Sequence, residues 1–122
     1  MKKILIVDDQ VDIRKLLEIV LRSEEREFIF ARDGEECIDL AKQHQPDLIL
    51  LDIMMPGGID GCETARQLRR NEALKGCPIL AMTAKMQKKD QAEVIEAGAD
   101  ECLVKPFDIS LLQEKVARML DG

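Results

Sequence analysis

The sequence predicts an α/β domain in which one parallel five-stranded sheet carries helices on both faces. Three observations lead there. Short apolar runs alternate with segments whose apolar residues recur at helical spacing, the pattern of repeated βα units. The runs at residues 3–7, 47–51 and 78–82 lack polar alternation, as strands covered on both faces require. Between successive runs lies a stretch of the dozen or so residues that a crossover between parallel strands needs.

Taken in order, residues 3–7 form the first strand and end at Asp8 and Asp9. Ile13, Leu16, Leu17, Val20 and Leu21 follow at helical spacing, in a helix starting near Val11. Phe28 to Ala31 read as the second strand. Asp33-Gly34-Glu35-Glu36 is a capping box opening a helix with the stripe Cys37, Leu40 and Ala41, closed by Pro46. Strand 47–51 ends at Asp52, and Asp60-Gly61-Cys62-Glu63 is a second capping box, for a helix reaching about Ala73. Strand 78–82 ends at Thr83, and a polar helix runs from about Gln87 to Gly98. Strand 101–104 leads into Lys105-Pro106, and Ile109, Leu112, Val116 and Met119 mark the last helix. The second strand, beginning beside Arg26 and Glu27, and the fifth, with Glu101, are the expected sheet edges.

A chain of 122 residues is long enough for one domain with its own core and no disulfides. Three Phe and no Trp or Tyr mean that this core is aliphatic. The net charge of -6, with the acidic residues spread along the chain, excludes a nucleic-acid surface, which needs a basic stripe. Lys85, Lys88 and Lys89 come nearest to one and read as the solvated start of a helix. Cys37, Cys62, Cys77 and Cys102 stand apart, with no metal or redox spacing, and read as reduced, buried small hydrophobes. The apolar run near the N-terminus is too short for a signal peptide, and no stretch approaches transmembrane length. A cytoplasmic protein with no membrane insertion is therefore expected.

In an open α/β sheet, ligands collect beyond the carboxyl ends of the strands. Asp8, Asp9, Asp52, Thr83 and Lys105 all follow strands and should converge on one edge. Three carboxylates held together repel one another unless a cation is present, and an all-oxygen donor set favours a hard ion such as Mg²⁺, with Mn²⁺ as a substitute. A hydroxyl and a mobile ammonium complete the parts that stabilise a transferring phosphoryl group. Asp52 is then the nucleophile and an aspartyl phosphate its product.

Val7-Asp8-Asp9, Leu51-Asp52-Ile53-Met54-Met55-Pro56, Thr83-Ala84 and Lys105-Pro106-Phe107 resemble the receiver domain of two-component response regulators, over essentially the whole chain. The resemblance implies a flavodoxin-like three-layer (βα)5 sandwich with strand order 2-1-3-4-5. The sequence is read as a single receiver domain over residues 1–122 with no output domain, either a stand-alone regulator or a piece of a longer protein. It implies that Asp52 accepts a phosphoryl group from a histidine of a sensor histidine kinase or histidine phosphotransfer protein. Asp9, Asp52 and the Met54 carbonyl resemble the direct Mg²⁺ ligands, and Asp8 a water-mediated ligand. Lys105, before a cis prolyl bond, resembles the lysine that pairs with a phosphoryl oxygen. Thr83 resembles the switch hydroxyl. A phosphorylation-dependent protein interaction with a downstream target, by a monomer or weak homodimer, is the implied output. Kinase contact would use the first helix, where the spacing of Ile13, Leu16 and Leu17 assigns most of them to the core.

Two features depart from the family pattern, and two variable positions bear on the phosphoryl lifetime. Cys102 stands where a switching aromatic ring is usual, so at the switch positions Thr83 and Cys102 either the signal runs through Thr83 and the following loop or, the favoured reading, the output depends little on an aromatic flip. Gly57-Gly58 lengthens the loop after Pro56, and this loop is expected to be more mobile than is typical. Met54 and Lys85 flank the path of the hydrolytic water and neither can act as a base, so autodephosphorylation is expected to be slow. His44, at the end of the second helix, reads as a helix-end residue and not a phosphodonor. A Mg²⁺-dependent phosphatase or hydrolase with an aspartyl nucleophile, and a constitutive binding module of receiver fold, are the alternative functions. The adjacent pair Asp8-Asp9 argues against the first, and the complete set of site residues against the second. A nucleotide or flavin binder lacks its glycine motif.

Overall fold

The computed structural model describes residues 1–84 and 87–121. Five strands alternate with five helices: β1 (Lys2–Val7), α1 (Val11–Leu21), β2 (Arg26–Ala31), α2 (Gly34–His44), β3 (Leu48–Asp52), α3 (Gly61–Arg70), β4 (Ile79–Thr83), α4 (Lys88–Ala97), β5 (Glu101–Val104) and α5 (Ile109–Asp121). All strand pairs are parallel, in the order β2-β1-β3-β4-β5. The doubly wound topology is thus the one expected, with β2 and β5 at the edges.

Period-two alternation divides the core between the two faces of the sheet. Leu5, Val7, Ile49, Leu51, Ile79 and Ala81 point to one face, where Cys37 and Ala41 of α2, Ala65 and Leu68 of α3, and Val94 and Ala97 of α4 cover them. Ile4, Ile6, Leu48, Leu50, Leu80 and Met82 point to the other, against Leu17 and Leu21 of α1 and Leu112 and Val116 of α5. Every residue of β3 and β4 is buried, which accounts for their uninterrupted apolar sequence.

Both capping residues act as read. Asp33 Oδ1 accepts from the Glu36 amide and Asp60 Oδ1 from the Glu63 amide, each at 2.8 Å. The reciprocal half of each box differs: Glu36 accepts from the Arg32 amide, one residue earlier than the cap, while Glu63 pairs with Arg66 and Arg70.

Several element ends differ from the sequence reading, β1, β3 and β4 among them by one residue at their starts. β2 starts at Arg26 because its ladder with β1 begins at Lys2. Asp52 and Thr83 lie within β3 and β4, since the ladder continues past them through Ile53 N to Met82 O and Lys105 N to Thr83 O. The third helix ends at Arg70, short of Ala73. There Asn71 Oδ1 accepts from the Ala73 amide and the Asn71 carbonyl accepts from Leu74 and Lys75, so the chain turns. On α1, Leu17 is buried and Ile13 half-buried, but Leu16 is 40 % exposed. Leu16 points about 100° away from Leu17 around the helix axis, and on α1 that turns it off the covered face.

Arg69 closes the end of the sheet opposite the strand carboxyl ends. Its guanidinium donates to the carbonyls of Gly98, Lys75 and Cys77 and to Asp100 Oδ2, at 2.7 to 2.8 Å. Among the described residues no helix is long and apolar enough to cross a membrane.

Candidate functional site

The register of the sheet builds the site. Val7 of β1 lies beside Leu51 of β3, so the next residues, Asp8 and Asp52, emerge side by side. Asp52 pairs with Met82, and Thr83 with Val104, which brings the ends of β4 and β5 to the same edge. The sequence-predicted Asp8, Asp9, Asp52 and Lys105 are brought together here.

Asp8, Asp52 and Thr83 are buried, whereas Asp9 is exposed. Carboxylate oxygens of Asp8, Asp9 and Asp52 lie within 4.8 Å of one another. Lys105 Nζ bridges the two buried acids, 3.1 Å from Asp8 Oδ2 and 3.3 Å from Asp52 Oδ1. The Lys105-Pro106 bond that precedes α5 is cis. Asp52 Oδ1 also accepts from the Met54 amide at 3.2 Å, and Asp8 Oδ1 accepts from the Gln10 amide at 2.9 Å.

Burial pushes the Asp52 carboxyl up from 3.8 to about 6, and the charge of Asp8 adds to that; Lys105 and the Met54 amide pull it back. Lys105 shows the mirror image. Burial alone would lower its pKa, but the hydrogen bond to Asp8 and the charges of Asp52 and Asp8 raise it overall. The ammonium is therefore firmly protonated in this acidic niche.

Three carboxylates against one ammonium leave the cluster short of positive charge, and every donor is oxygen. The cluster is able to coordinate a divalent cation, and a hard one fits it best. Asp8, Asp9 and Asp52 are the side chains that would hold it.

The loop after Asp52 is shaped by glycines. A side chain at Gly61 would place its Cβ 2.5 Å from the Asp52 carbonyl oxygen and the Ile53 Cα, so only glycine lets α3 start against the strand end. Gly57 and Gly58 both adopt left-handed backbone, with φ of 76° and 61°. The loop is tied to α2, since Glu35 Oε1 accepts from the Ile59 amide at 3.3 Å and a Cβ on Gly34 would meet Thr64 and Ile59.

The remaining candidates take their places around this edge. The Thr83 side chain is buried at the end of β4. Cys102 is half-buried against the core under α2, α3 and α4, and burial pushes its thiol pKa up with Lys115 opposing. That agrees with a packing role, and a raised thiol pKa disfavours redox chemistry. Met54 is 55 % exposed beside the site, while Lys85 lies outside the described residues. His44 is a half-buried residue at the C-terminal end of α2 whose carbonyl accepts from Lys3 Nζ at 3.5 Å.

Sequence reasoning missed Arg14, whose guanidinium donates to the Asp8 carbonyl at 2.6 Å. Its only signal was a lone arginine one turn into the helix that follows the acidic pair. It also missed Gly61, which looked like part of a capping box.

Comparison with known proteins agrees with this geometry. The model of the response regulator receiver domain matches residues 4–117. The chain is 40 % identical over 119 residues to the alkaline phosphatase synthesis transcriptional regulatory protein PhoP of Bacillus subtilis, covering 98 % of this chain and 48 % of that protein. It is 38 % identical over 120 residues to the response regulator ArlR of Staphylococcus saprophyticus, covering 98 % and 53 %. The chain thus spans about half the length of these curated relatives. Among solved structures, the chemotaxis protein CheY4 of Vibrio cholerae superposes with a TM-score of 0.89 at 32 % identity, covering 98 % of each chain.

Proposed function

The chain belongs to the response regulator receiver family, and on that footing we propose that it accepts a phosphoryl group on Asp52 and signals through phosphorylation-dependent protein interaction. The proposal takes residues 1–122 as one receiver domain. The observation that carries it is the convergence of Asp8, Asp9, Asp52 and Lys105 at one sheet edge, with the acceptor carboxylate buried and bridged to an ammonium.

The donor is a phosphohistidine of a sensor histidine kinase or a histidine phosphotransfer protein. An Asp52 oxygen forms the new P–O bond as the P–N bond breaks, and the departing imidazole keeps the bonding pair and takes up a proton. The strand end fixes the nucleophile's direction, and the Met54 amide and Lys105 both hold its Oδ1. Lys105, held between Asp8 and Asp52, is placed to follow charge onto the incoming phosphoryl oxygens. A divalent cation, with Mg²⁺ the first choice and Mn²⁺ the substitute, supplies charge neutralisation at those oxygens when bound. Asp9, Asp52 and the Met54 carbonyl would ligate it directly and Asp8 through water.

Thr83 is the switch hydroxyl in this reading, buried at the end of β4 next to the acceptor's strand. Cys102 offers no ring to rotate, so the output depends little on an aromatic flip. The exposed Met54 side chain carries no base, so the phosphoryl group is lost slowly. A half-life of seconds or less for the isolated protein would contradict this. The four free cysteines suit a reducing cytoplasm, which is part of the proposal.

Incubation with acetyl phosphate and Mg²⁺ tests the acceptor. Mass spectrometry should show the gain of one phosphoryl group by the wild type and none by Asp52→Asn; an equal gain by the variant would sink the assignment.

A further inference from the structure

We infer that Arg14 is a positioning residue for the acidic pair, acting through the main chain of the turn between β1 and α1. The inference rests on the phosphoacceptor reading above and extends it to a residue outside the acidic cluster.

Both Asp8 and Asp9 lie in this turn, and the helix that follows it has no side-chain cap. α1 starts after Gln10, whose side chain makes no capping bond, so the usual Asp or Ser clamp on the first helical turn is missing. Asp8 faces inward instead, accepting from the Gln10 amide with one carboxylate oxygen and from Lys105 with the other.

Arg14 adds a restraint of its own from inside the helix. Helical side chains lean toward the helix N-terminus, and from one turn in, this one reaches back over the start of α1. Its Nη1 donates to the Asp8 carbonyl at 2.6 Å, a short charge-assisted bond. That carbonyl belongs to the peptide unit joining Asp8 to Asp9. Rotating this unit would move the Asp9 carboxylate relative to Asp8 and Asp52, so whatever fixes the carbonyl fixes the spacing of the three acids. The Asp8 amide, bonded to the Ala31 carbonyl at 3.1 Å, holds the other side of the residue.

The choice of a main-chain acceptor also has an electrostatic consequence. The guanidinium bonds a carbonyl and not a carboxylate, so it fixes the turn without occupying an oxygen that a cation would use, while its charge alone works against a cation there and the gain must come from ligand spacing. Lysine at the same place would offer a strongly hydrated point charge on a flexible stem in place of a planar fork. It should hold the peptide less well.

The test uses Arg14→Met, which keeps an apolar stem, and Arg14→Lys, which keeps the charge. Mg²⁺ affinity of the full chain is measured by isothermal titration calorimetry, with metal-free thermal melts alongside. Loss of a residue that orients metal ligands costs about tenfold in affinity, and that is the expected rise in the Mg²⁺ dissociation constant for Arg14→Met, with partial recovery in Arg14→Lys. At saturating Mg²⁺ the phosphorylation rate from acetyl phosphate should return to within about twofold of wild type, because the defect lies in ligand spacing and not in the nucleophile. Unchanged or tighter Mg²⁺ binding by Arg14→Met, with or without a lower melting temperature, would overturn the inference. Absence of any Mg²⁺ binding that Asp9→Ala removes from the wild type would instead overturn the phosphoacceptor reading, and this inference with it.

Discussion

Asp52 keeps its charge at a cost, because it is 2 % exposed and shares its niche with a second buried carboxylate. Its raised pKa has a definite consequence for stability. An acid whose folded value lies above its ordinary one binds its proton more tightly in the native state than in the unfolded chain. Its contribution to stability is therefore greatest below 3.8, falls as the pH rises toward about 6, and stays at its low level above that. Asp52→Asn removes the titration while keeping the shape. In metal-free buffer the variant should be more stable than wild type at pH 7.5, by about 2 kcal/mol, and the gap should narrow at pH 5. Urea unfolding followed by circular dichroism, chosen because the chain has no Trp or Tyr, measures both values. A gap that does not change with pH would contradict the cause given. Asp52, Asp8 and Lys105 were legible in the sequence because each directly follows or ends a buried apolar run. Arg14 was not, since its partner is a main-chain carbonyl, and a carbonyl has no residue type to read.

At the scale of elements, α3 shows how the two ends of one helix serve different purposes. Its start is pressed against β3 at Gly61, where a methyl group would overlap the Asp52 carbonyl and the Ile53 backbone. Gly61→Ala should destabilise the fold by about 2 kcal/mol, as overpacking of a rigid backbone contact does, and should also impair phosphorylation because the displaced atoms carry Asp52. A variant with wild-type stability and phosphorylation rate would show that the loop yields freely. The other end of α3 holds the far side of the sheet through Arg69. Arg69→Met strips three carbonyls and Asp100 of a charged donor and should cost about 2–3 kcal/mol in denaturant titrations. Phosphorylation of the folded fraction should be unchanged, since Arg69 lies at the opposite end of the strands. The helix starts were readable because Asp33 and Asp60 announce them chemically. The end of α3 was misplaced because Asn71 bonds to nearby amides, and that turn leaves no break in the apolar spacing.

For the whole molecule, alternation of apolar periods was enough to give parallel strands and buried central ones, but not their order. The order 2-1-3-4-5 came with the family resemblance, because no local pattern records which strand lies beside which. That order places β1 and β3 side by side in the centre of the sheet, so an ion held by Asp8, Asp9 and Asp52 would join the two strands on which both core faces rest. Binding there should stabilise the domain as a unit. At 100 times its dissociation constant Mg²⁺ should add about 2.7 kcal/mol to unfolding, and Asp9→Ala should abolish the gain. Proton and metal compete for the same oxygens, which reverses the pH dependence of Asp52. Without metal, acid relieves the buried charge and stabilises; with metal, acid expels the ion and destabilises. Thermal melts at pH 5 and 7.5, each with excess Mg²⁺ or with chelator, should therefore show a Mg²⁺-dependent gain that is clearly smaller at pH 5. A gain independent of pH would place the ion away from Asp52, on carboxylates that are already ionised in acid.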